Sequence, residues 1–234
     1  MWVLDFLAPQ SCVFCGLSSA GEEKSICTGC YADLPWNEPA ISPEHRIFDC
    51  CIAMLLYSFP VDVAIKAFKF ERKLYYAPAF TEILCAACPL LPQDIDAVLP
   101  VPLHWQRKAW RGFNQASELA KPVAKALGVP VIRGVYRRKA TPYQSGLAAR
   151  ERVRNLRSAF EAKVKIANTH ILIIDDVITT GATSRALARV LLASGALKVS
   201  SLSIARAGLS SVSSSGRTQV RSVTDVDDFS TGQA

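Results

Sequence analysis

The sequence contains no uninterrupted apolar run as long as the roughly 18 residues of a membrane-spanning helix, so we expect no integral membrane protein. Its first residues, MWVLDFLAPQ, include Asp5 and place no basic segment ahead of a long apolar stretch, so a signal peptide is not expected. Internal repeats are also lacking. The 234 residues, half of them apolar, are enough for one sizeable core with a small appended domain, in a soluble and cytoplasmic protein.

Acidic residues are scarce in one part of the chain. The formal net charge is +7, and between residues 133 and 157 a single acid, Glu151, accompanies eight basic residues. These are Arg133, Arg137, Arg138, Lys139, Arg150, Arg152, Arg154 and Arg157. A second basic cluster, Arg107, Lys108 and Arg111, precedes them. Such clusters suit a polyanion, either a phosphorylated small molecule or nucleic acid, although a solvated basic face is the simpler interpretation of charge alone.

The eight cysteines, in a chain for which no export is expected, indicate bound metal or buried thiols in preference to disulfides. Two CxxC pairs, Cys12 with Cys15 and Cys27 with Cys30, are separated by eleven residues. Together they complete a tetrahedral Cys₄ shell with no open position, which predicts a structural zinc site; free thiols or a redox pair are the alternative. For the remaining pairs, Cys50-Cys51 and the third CxxC at residues 85 to 88, we expect core packing.

The pattern of apolar residues predicts an α/β fold in three parts: a Cys₄ module over residues 1–40, an α/β domain over 41–208 and a disordered Ser/Thr-rich tail over 209–234. Strands are expected at residues 47–59, 95–101, 131–136, 170–174 and 199–205, and helices at 61–70, 78–88, 114–127 and 182–194. Gly128 and Gly195 are expected to end the last two helices. The alternation of strand and helix from residue 95 onward indicates a largely parallel sheet.

One segment, HILIIDDVITTGATS from residue 170, combines an apolar strand, two aspartates and a loop of small and hydroxyl residues. In an open parallel sheet, ligands bind beyond the carboxyl ends of the strands. The helix expected from Ala182 offers unpaired N–H groups that bind phosphate, and threonine hydroxyls add donors. Asp175 and Asp176 would then accept hydrogen bonds from ribose hydroxyls, so the segment predicts a ribose 5-phosphate site. An acidic pocket like that of response regulators, or an ordinary helix cap formed by Thr179 or Thr180, are the alternatives.

Residues 171 to 183 resemble the motif with which type I phosphoribosyltransferases bind phosphoribosyl pyrophosphate (PRPP). Over about residues 10 to 207 the chain resembles the ComF family, which includes ComFC and the similar GntX-type proteins. The resemblance rests on the CxxC pairs and on Phe68-Lys69-Phe70, Pro100 to His104, Arg111 to Gln115, Gln144 to Leu147, Arg152 to Leu156 and DDVITTGAT. It implies a type I phosphoribosyltransferase-like parallel-sheet core with a small N-terminal zinc-ribbon-like module.

The resemblance also implies roles for residues. The ribose hydroxyls would be bound by Asp175 and Asp176, and the 5-phosphate by Thr179, Thr180, Gly181, Ala182 and Thr183. The pyrophosphate would be bound by the loop of Pro102, Leu103 and His104, with Arg107 and Arg111 nearby and Lys69 as a further cation. Asp175, Asp176 and Arg111 are the catalytic candidates, and residues 144 to 154 fit a mobile loop. Alternatively, Arg111, Asn114 and Gln115 cap and brace the following helix.

The implied activity is transfer of phosphoribosyl from Mg²⁺-bound PRPP to an unknown acceptor. Positive charge would grow on the ribose and negative charge on the departing pyrophosphate, where Mg²⁺ and arginines stabilise it. Thr179 stands where 6-oxopurine salvage enzymes of this class commonly carry an aspartate, which argues against hypoxanthine or guanine, and no base-binding hood is recognisable. PRPP binding is therefore a firmer expectation than turnover.

A non-catalytic competence factor that binds PRPP or single-stranded DNA is the alternative function. The family is associated with natural competence, in which internalised single-stranded DNA is processed, so DNA and other competence proteins are the implied partners. Residues 104 to 113 interleave aromatic and basic side chains, as suits stacking on bases and contact with phosphates, although the aromatic residues can equally be core anchors. The nucleic-acid candidates are Arg107, Lys108, Trp110 and Arg111.

Overall fold

A parallel sheet forms the centre of the protein. The computed structural model describes residues 11–17, 24–37, 47–138 and 159–208. The sheet contains β1 (Cys51–Leu56), β2 (Ala97–Pro100), β5 (His170–Ile178) and β6 (Lys198–Arg206), in the order β1-β6-β5-β2, and all its neighbouring strands run parallel. Strands β3 (Val135–Arg137) and β4 (Phe160–Ala162) form a separate antiparallel pair. The predicted α/β class with a parallel sheet is confirmed.

Helices cover both faces of this sheet. In the described part of the chain the helices are α1 (Thr28–Ala32), α2 (Val61–Phe70), α3 (Tyr76–Cys85), α4 (Trp105–Arg111), α5 (Gln115–Leu127) and α6 (Ala182–Ala193), with a 3₁₀ turn at Cys88–Leu90. Of these, α2, α3 and α5 pack on one face of the sheet and α6 on the other. Leu172 and Ile174 of β5 belong to one buried cluster, with residues of α2, α3 and α5. Ile171 and Ile173 belong to the other, with residues of α6, β3 and β4. Because both faces of β5 are buried, its apolar run is continuous and does not alternate with polar residues.

Glycines end two helices as predicted. Gly128 has a φ of 70° and caps α5, and Gly195, with a φ of 103°, follows α6. A Cβ atom at position 195 would lie 2.1 Å from the carbonyl oxygen of Ile166, so this close approach of two backbone segments requires glycine.

Some local predictions differ from the structure. The strand expected over residues 131–136 is interrupted: Val131 forms a single bridge to Val98, and β3 begins only at Val135. Pro130 and Gly134, with a φ of 94°, flank this short bridge and prevent a continuous strand. The sequence-based assignment also missed α4 and β4, which are short.

The cysteine-rich segment packs against the core of the α/β domain. Cys12 and Ile26 are almost fully buried in the same cluster as Leu55 and Phe80. Residues 35–37 pair with the outer edge of β1 through bonds from Leu56 N to Pro35 O (2.8 Å) and from Asn37 N to Met54 O (2.9 Å). The bounds predicted for the three parts stay predictions, since residues 1–10, 38–46 and 209–234, like the proposed mobile loop at 144–154, lie outside the described residues.

The amino-terminal ends of β5 and β6 are held together by a chain of polar side chains. Nδ1 of His170 lies 2.9 Å from Oδ1 of Asp94, and its Nε2 lies 2.8 Å from Oγ of Ser200. Ser200 is fully buried, so this arrangement anchors the strands and presents no accessible nucleophile. Within the described part of the chain, no helix is both long enough and apolar enough to cross a membrane.

Candidate functional site

The two aspartates lie within β5 and not after it, which corrects the predicted end of this strand at residue 174. β5 remains paired with β6 as far as Ile178, whereas β2 ends at Pro100, opposite Ile174. The strand continues because β6 supplies partners along its whole length. Asp175 and Asp176 nevertheless lie beyond the end of β2, at the carboxyl edge of the sheet where open α/β folds bind ligands.

Consecutive side chains of a strand point to opposite faces of the sheet, and the two carboxylates follow this rule. Asp176 points towards α2, where its Oδ1 lies 2.7 Å from Nζ of Lys69. Each aspartate also accepts a backbone N–H from the residue after it: Asp176 N donates to Oδ1 of Asp175 (2.9 Å), and Val177 N donates to Oδ1 of Asp176 (2.7 Å). These bonds hold both side chains along the strand.

Lys69 and Asp176 form a largely buried ion pair, with side chains 18% and 14% exposed. Burial opposes the charge of Lys69, but the carboxylate of Asp176 outweighs it and raises the pKa of Lys69. Burial, and then the negative charge of Asp176, raise the pKa of Asp175 to about 8, and Lys69 offsets only part of this effect. The two neighbouring aspartates therefore differ: Asp176 is the paired carboxylate, and Asp175 holds a proton more readily than an ordinary carboxyl group.

The ArgGlyPheAsnGln motif at residues 111 to 115 braces this ion pair. Gln115, only 1% exposed, donates from Nε2 to the carbonyl oxygen of Lys69 (3.3 Å) and accepts at Oε1 from Nη1 of Arg111 (3.2 Å). The guanidinium carbon of Arg111 lies 4.9 Å from the ring centroid of Phe70. The motif thus contacts the end of α2 at two points, the carbonyl oxygen of Lys69 and the ring of Phe70.

The same motif also holds the loop after β2. Asn114 precedes α5 but makes no side-chain cap; its Nδ2 instead donates to the carbonyl oxygen of Val101 (3.1 Å). Phe113 packs in the core with its ring centroid 5.7 Å from that of Phe68. The two sequence motifs, PheLysPhe and ArgGlyPheAsnGln, therefore meet and connect α2, β2 and the aspartate strand. This geometry favours the bracing role that was the alternative for Arg111, Asn114 and Gln115.

The loop predicted to bind phosphate links β5 to α6. Thr179 and Thr180 are exposed, Gly181 is buried with a φ of 67°, and α6 begins at Ala182 as predicted. Thr180 Oγ1 accepts from Ala182 N (3.4 Å), so one hydroxyl partly serves the helix-cap role that was considered. The first turn of α6 points its remaining amides, including that of Thr183, to the same end as the aspartates.

In the loop after β2, the side chains differ in accessibility. Pro102 and Leu103 are half-buried, whereas His104 is 5% exposed and accepts at Nδ1 from Gln106 N (3.4 Å). The side chain of His104 therefore caps α4.

Arg137 belongs to this region although the sequence assigned it only to a basic cluster. Its backbone bridges that of His104 in parallel, which places it beside the loop after β2. Burial, and then the positive charge of Arg107, lower the pKa of Arg137 to about 10, while Asp175 acts in the opposite direction. The structure shows alternating burial along β3, with Val135 buried, Tyr136 exposed, Arg137 half-buried and Arg138 exposed, but a strand of three residues gives no such signal in the sequence.

The aromatic residues of α4 face solvent. Trp105 is 68% and Trp110 62% exposed, so neither is a core anchor, in contrast to Phe113. Arg107 and Arg111 are half-buried, and the side chain of Lys108 lies outside the described part of the structure. Among the nucleic-acid candidates whose side chains the structure describes, Trp110 is the exposed one.

The four cysteines of the two CxxC pairs come together. The sulfurs of Cys12, Cys15, Cys27 and Cys30 all lie within 4.8 Å of one another, and those of Cys15 and Cys27 are 3.8 Å apart. Ligands about 2.3 Å from a tetrahedral zinc would lie roughly 3.8 Å from each other, so the group fits a single metal ion. Burial opposes ionisation of Cys12, but backbone hydrogen bonds from Cys15 and Cys27 lower its pKa to about 6. This set can bind one metal ion.

The remaining cysteines lie apart from this group. Cys85 and Cys88 are half-buried near the end of α3, and burial raises the pKa of both thiols. Cys50 and Cys51 flank the start of β1, are also half-buried, and burial raises the pKa of Cys51 to about 11. Protonated, partly buried thiols agree with the predicted packing role.

Comparison with known proteins identifies the family of this chain. The family described as Phosphoribosyl transferase domain matches residues 114–229. DNA utilization protein YhgH of Salmonella typhi is 33% identical over 195 residues, which are 80% of this chain and 80% of that protein. Competence protein F of Haemophilus influenzae is 31% identical over 163 residues, which cover 64% of this chain and 70% of that protein. Competence protein ComFC of Bacillus subtilis is 32% identical over 153 residues, which cover 64% of this chain and 61% of that protein. With its clustered cysteines and the aspartate strand in place, the chain belongs to the ComF family of phosphoribosyltransferase-like proteins.

Proposed function

We propose that this protein binds PRPP at the carboxyl edge of its sheet and transfers the phosphoribosyl group to an acceptor. The observation that carries the proposal is the aspartate pair of β5, held by Lys69 and followed at once by the ThrThrGlyAlaThr loop at the start of α6. A 5-phosphate on that loop would place the ribose next to the carboxylates, because the chain leads directly from Asp176 to Thr179.

Each element has a distinct task in this proposal. The 5-phosphate is bound by the backbone amides and hydroxyls of the loop at Thr179, Thr180, Gly181, Ala182 and Thr183. Asp175 and Asp176 accept hydrogen bonds from the ribose hydroxyls, and Pro102, Leu103 and His104 offer their backbone to the diphosphate. Lys69 stays paired with Asp176 and offsets the negative charge of that carboxylate. Arg111, named from sequence as a catalytic candidate, acts through Gln115 on the position of Lys69.

Two metals belong to the proposal. Zinc at the Cys₄ group is supported by the tetrahedral fit of the sulfurs and by the preference of this ion for four thiolates. Mg²⁺ enters with PRPP, and when bound it would neutralise charge on the departing diphosphate.

A second function, contact with single-stranded DNA in the cytoplasm as part of competence, is favoured by the exposure of Trp110 between basic residues. The names of the relatives, which refer to competence and to the use of DNA, support it. Trp110 would stack on a base while Arg107, Lys108 and Arg111 lie near the phosphates. Replacing Trp110 by Ala should then weaken binding of an oligothymidine strand, whereas replacing Trp36 should not.

Calorimetric titration with PRPP and Mg²⁺ tests the main proposal. We expect saturable binding by the intact chain and loss of that binding in Asp175→Ala/Asp176→Ala. PRPP consumption is then followed with a panel of nucleobases and amines. If the intact chain does not bind PRPP, the proposed site is wrong. If it binds PRPP but no acceptor leads to consumption, the protein is a PRPP-binding factor and not a transferase.

A further inference from the structure

Arg137 lies on the inward face of a very short strand. In β3 the buried Val135 and the half-buried Arg137 share one face, and the exposed Tyr136 shares the other with Arg138, just after the strand. Arg138 forms an outward ion pair with Glu161. The guanidinium carbon of Arg137 lies 5.5 Å from the ring centroid of Phe160, a residue of β4 that is 7% exposed. The adjacent residues Arg137 and Arg138 therefore lie on opposite faces of the strand. Arg137 lies inward, against the ring of Phe160, and Arg138 lies outward.

The position of Arg137 next to the site follows from the backbone. Its bridge to His104 places it beside the loop that follows β2, and β2 pairs with the strand of the aspartates. Asp175 and Arg107 are the charged groups that act on it. The charges of Arg107 and Asp175 therefore act on the guanidinium group of Arg137 beside this loop. Positive charge gathered in this way suits a strongly anionic group of a ligand.

We propose that Arg137 binds the diphosphate group of PRPP, next to the loop of residues 101–104. This inference rests on the proposed function, since it assigns one residue to one part of the same ligand. A planar guanidinium with several N–H donors matches phosphate oxygens well, and its support on Phe160 fixes its direction before the ligand arrives. Lys69 and Arg111 suit this task less, because Lys69 is paired with Asp176 and Arg111 is stacked on Phe70.

Comparison of two ligands tests the assignment, because ribose 5-phosphate has the sugar and the 5-phosphate of PRPP but lacks its diphosphate. The dissociation constants of both ligands, each with Mg²⁺, are measured by calorimetry for the intact chain, Arg137→Gln, Arg137→Lys and Arg138→Gln. We expect Arg137→Gln to weaken PRPP binding about tenfold or more and to leave ribose 5-phosphate binding within about twofold. Arg137→Lys should recover part of the loss, and Arg138→Gln, the matched neighbour, should bind both ligands normally.

Different failures have different signatures. Unchanged PRPP affinity in Arg137→Gln overturns the assignment. Equal weakening of PRPP and ribose 5-phosphate also overturns it, because Arg137 would then act only on the structure of the site. Thermal unfolding of each variant shows whether removing the guanidinium from Phe160 has disturbed the fold, and Arg137→Met, which keeps the apolar stem, serves as the second variant. An intact chain that binds neither ligand refutes the proposed function itself.

Discussion

Lys69 at the end of α2 and Asp176 in β5 lie 2.7 Å apart, Nζ to Oδ1, although they belong to distant parts of the chain. The pair connects the end of one helix to the strand that carries the candidate site. Gln115, whose Nε2 donates to the carbonyl oxygen of Lys69, adds a third element, α5. A second Lys–Asp pair, Lys66 with Asp62, has the same 2.7 Å distance but lies within α2 at the surface. The two pairs allow a controlled comparison on one helix.

Replacing Asp176 by Asn should destabilise the protein, because it leaves the mostly buried ammonium of Lys69 without its counter-ion. We expect the free energy of unfolding to fall by at least about 1–3 kcal/mol, the usual cost of leaving a buried neutral group unsatisfied, because an unpaired charge costs more. Urea denaturation of Asp176→Asn, Lys69→Met and Asp62→Asn measures this. Asp62→Asn is the control, and because exposed pairs within a helix contribute about 0.3–0.5 kcal/mol, it should change stability little. Equal losses in Asp176→Asn and Asp62→Asn would contradict the buried character of the pair.

Replacing Asp175 by Asn should stabilise the protein at high pH, in contrast to the destabilisation expected for Asp176→Asn. The pKa of Asp175 is raised to about 8 by burial and by the charge of Asp176, compared with about 3.9 in an unfolded chain. Between these values the folded protein binds more protons than the unfolded one, so this group lowers the free energy of unfolding as pH rises from about 4 to about 8. The contribution of Asp175 is therefore favourable at low pH and is lost as pH rises.

Chemical denaturation at pH 5 and pH 8 tests this dependence. Asn cannot ionise, so the stability of Asp175→Asn relative to the intact chain should increase between pH 5 and pH 8. Taking the difference between the two proteins removes the titration of all other groups. A difference that does not vary with pH would mean that Asp175 titrates like an exposed carboxyl group.

Much of the fold could be predicted because its signals are local. The apolar run before Asp175 predicted a buried parallel strand, and Gly128 predicted the end of α5, since glycine adopts the left-handed conformation that closes a helix. The clustering of the four module cysteines was likewise predictable from two CxxC spacings, which have few structural solutions.

The rest depends on contacts that no local pattern encodes. That Lys69 binds Asp176 follows from the packing of α2 on the sheet, and sequence alone allowed Lys69 to be a free cation. Residues 105–111 form α4, but their aromatic and basic residues follow no clear apolar period, so the helix was missed. Arg137 lies in a strand of three residues, too short for alternation to be recognised before its partner β4 is known.

Arg111 and Gln115 should be energetically coupled if the motif is a brace. Arg111 Nη1 donates to Oε1 of Gln115, and Nε2 of the same Gln115 donates to the carbonyl oxygen of Lys69. Removing either Arg111 or Gln115 therefore disturbs the same chain of bonds. In a double-mutant cycle of Arg111→Met and Gln115→Leu, the combined loss of stability should be smaller than the sum of the single losses by about 0.5 kcal/mol or more. Should Arg111→Met leave stability unchanged but abolish PRPP binding, Arg111 contacts the ligand, as its assignment as a catalytic candidate implied.

Removing the metal should lower the stability of the α/β domain as well as that of the cysteine module. The module packs against α3: the ring centroids of Phe14 and Tyr76 are 6.3 Å apart, and Ser25 N donates to Oε1 of Glu82 (2.8 Å). Cys12 and Ile26 are buried in the main core, so a module that unfolds without metal exposes part of that core. We expect one zinc per chain by elemental analysis, and a lower melting temperature after chelation that recovers when zinc is returned.

Cysteine variants identify the ligands in the same measurement. Cys27→Ser should lose the metal and show the lowered melting temperature without any chelator, because a hydroxyl is a much poorer zinc ligand than a thiolate. Cys85→Ser and Cys88→Ser change a CxxC pair that lies apart from the four-sulfur group, so their zinc content should equal that of the intact chain. Zinc loss in Cys85→Ser, or full zinc content in Cys27→Ser, would show that the metal is held elsewhere. A melting temperature unaffected by chelation would show that the module's contacts with α3 contribute little to the stability of the domain.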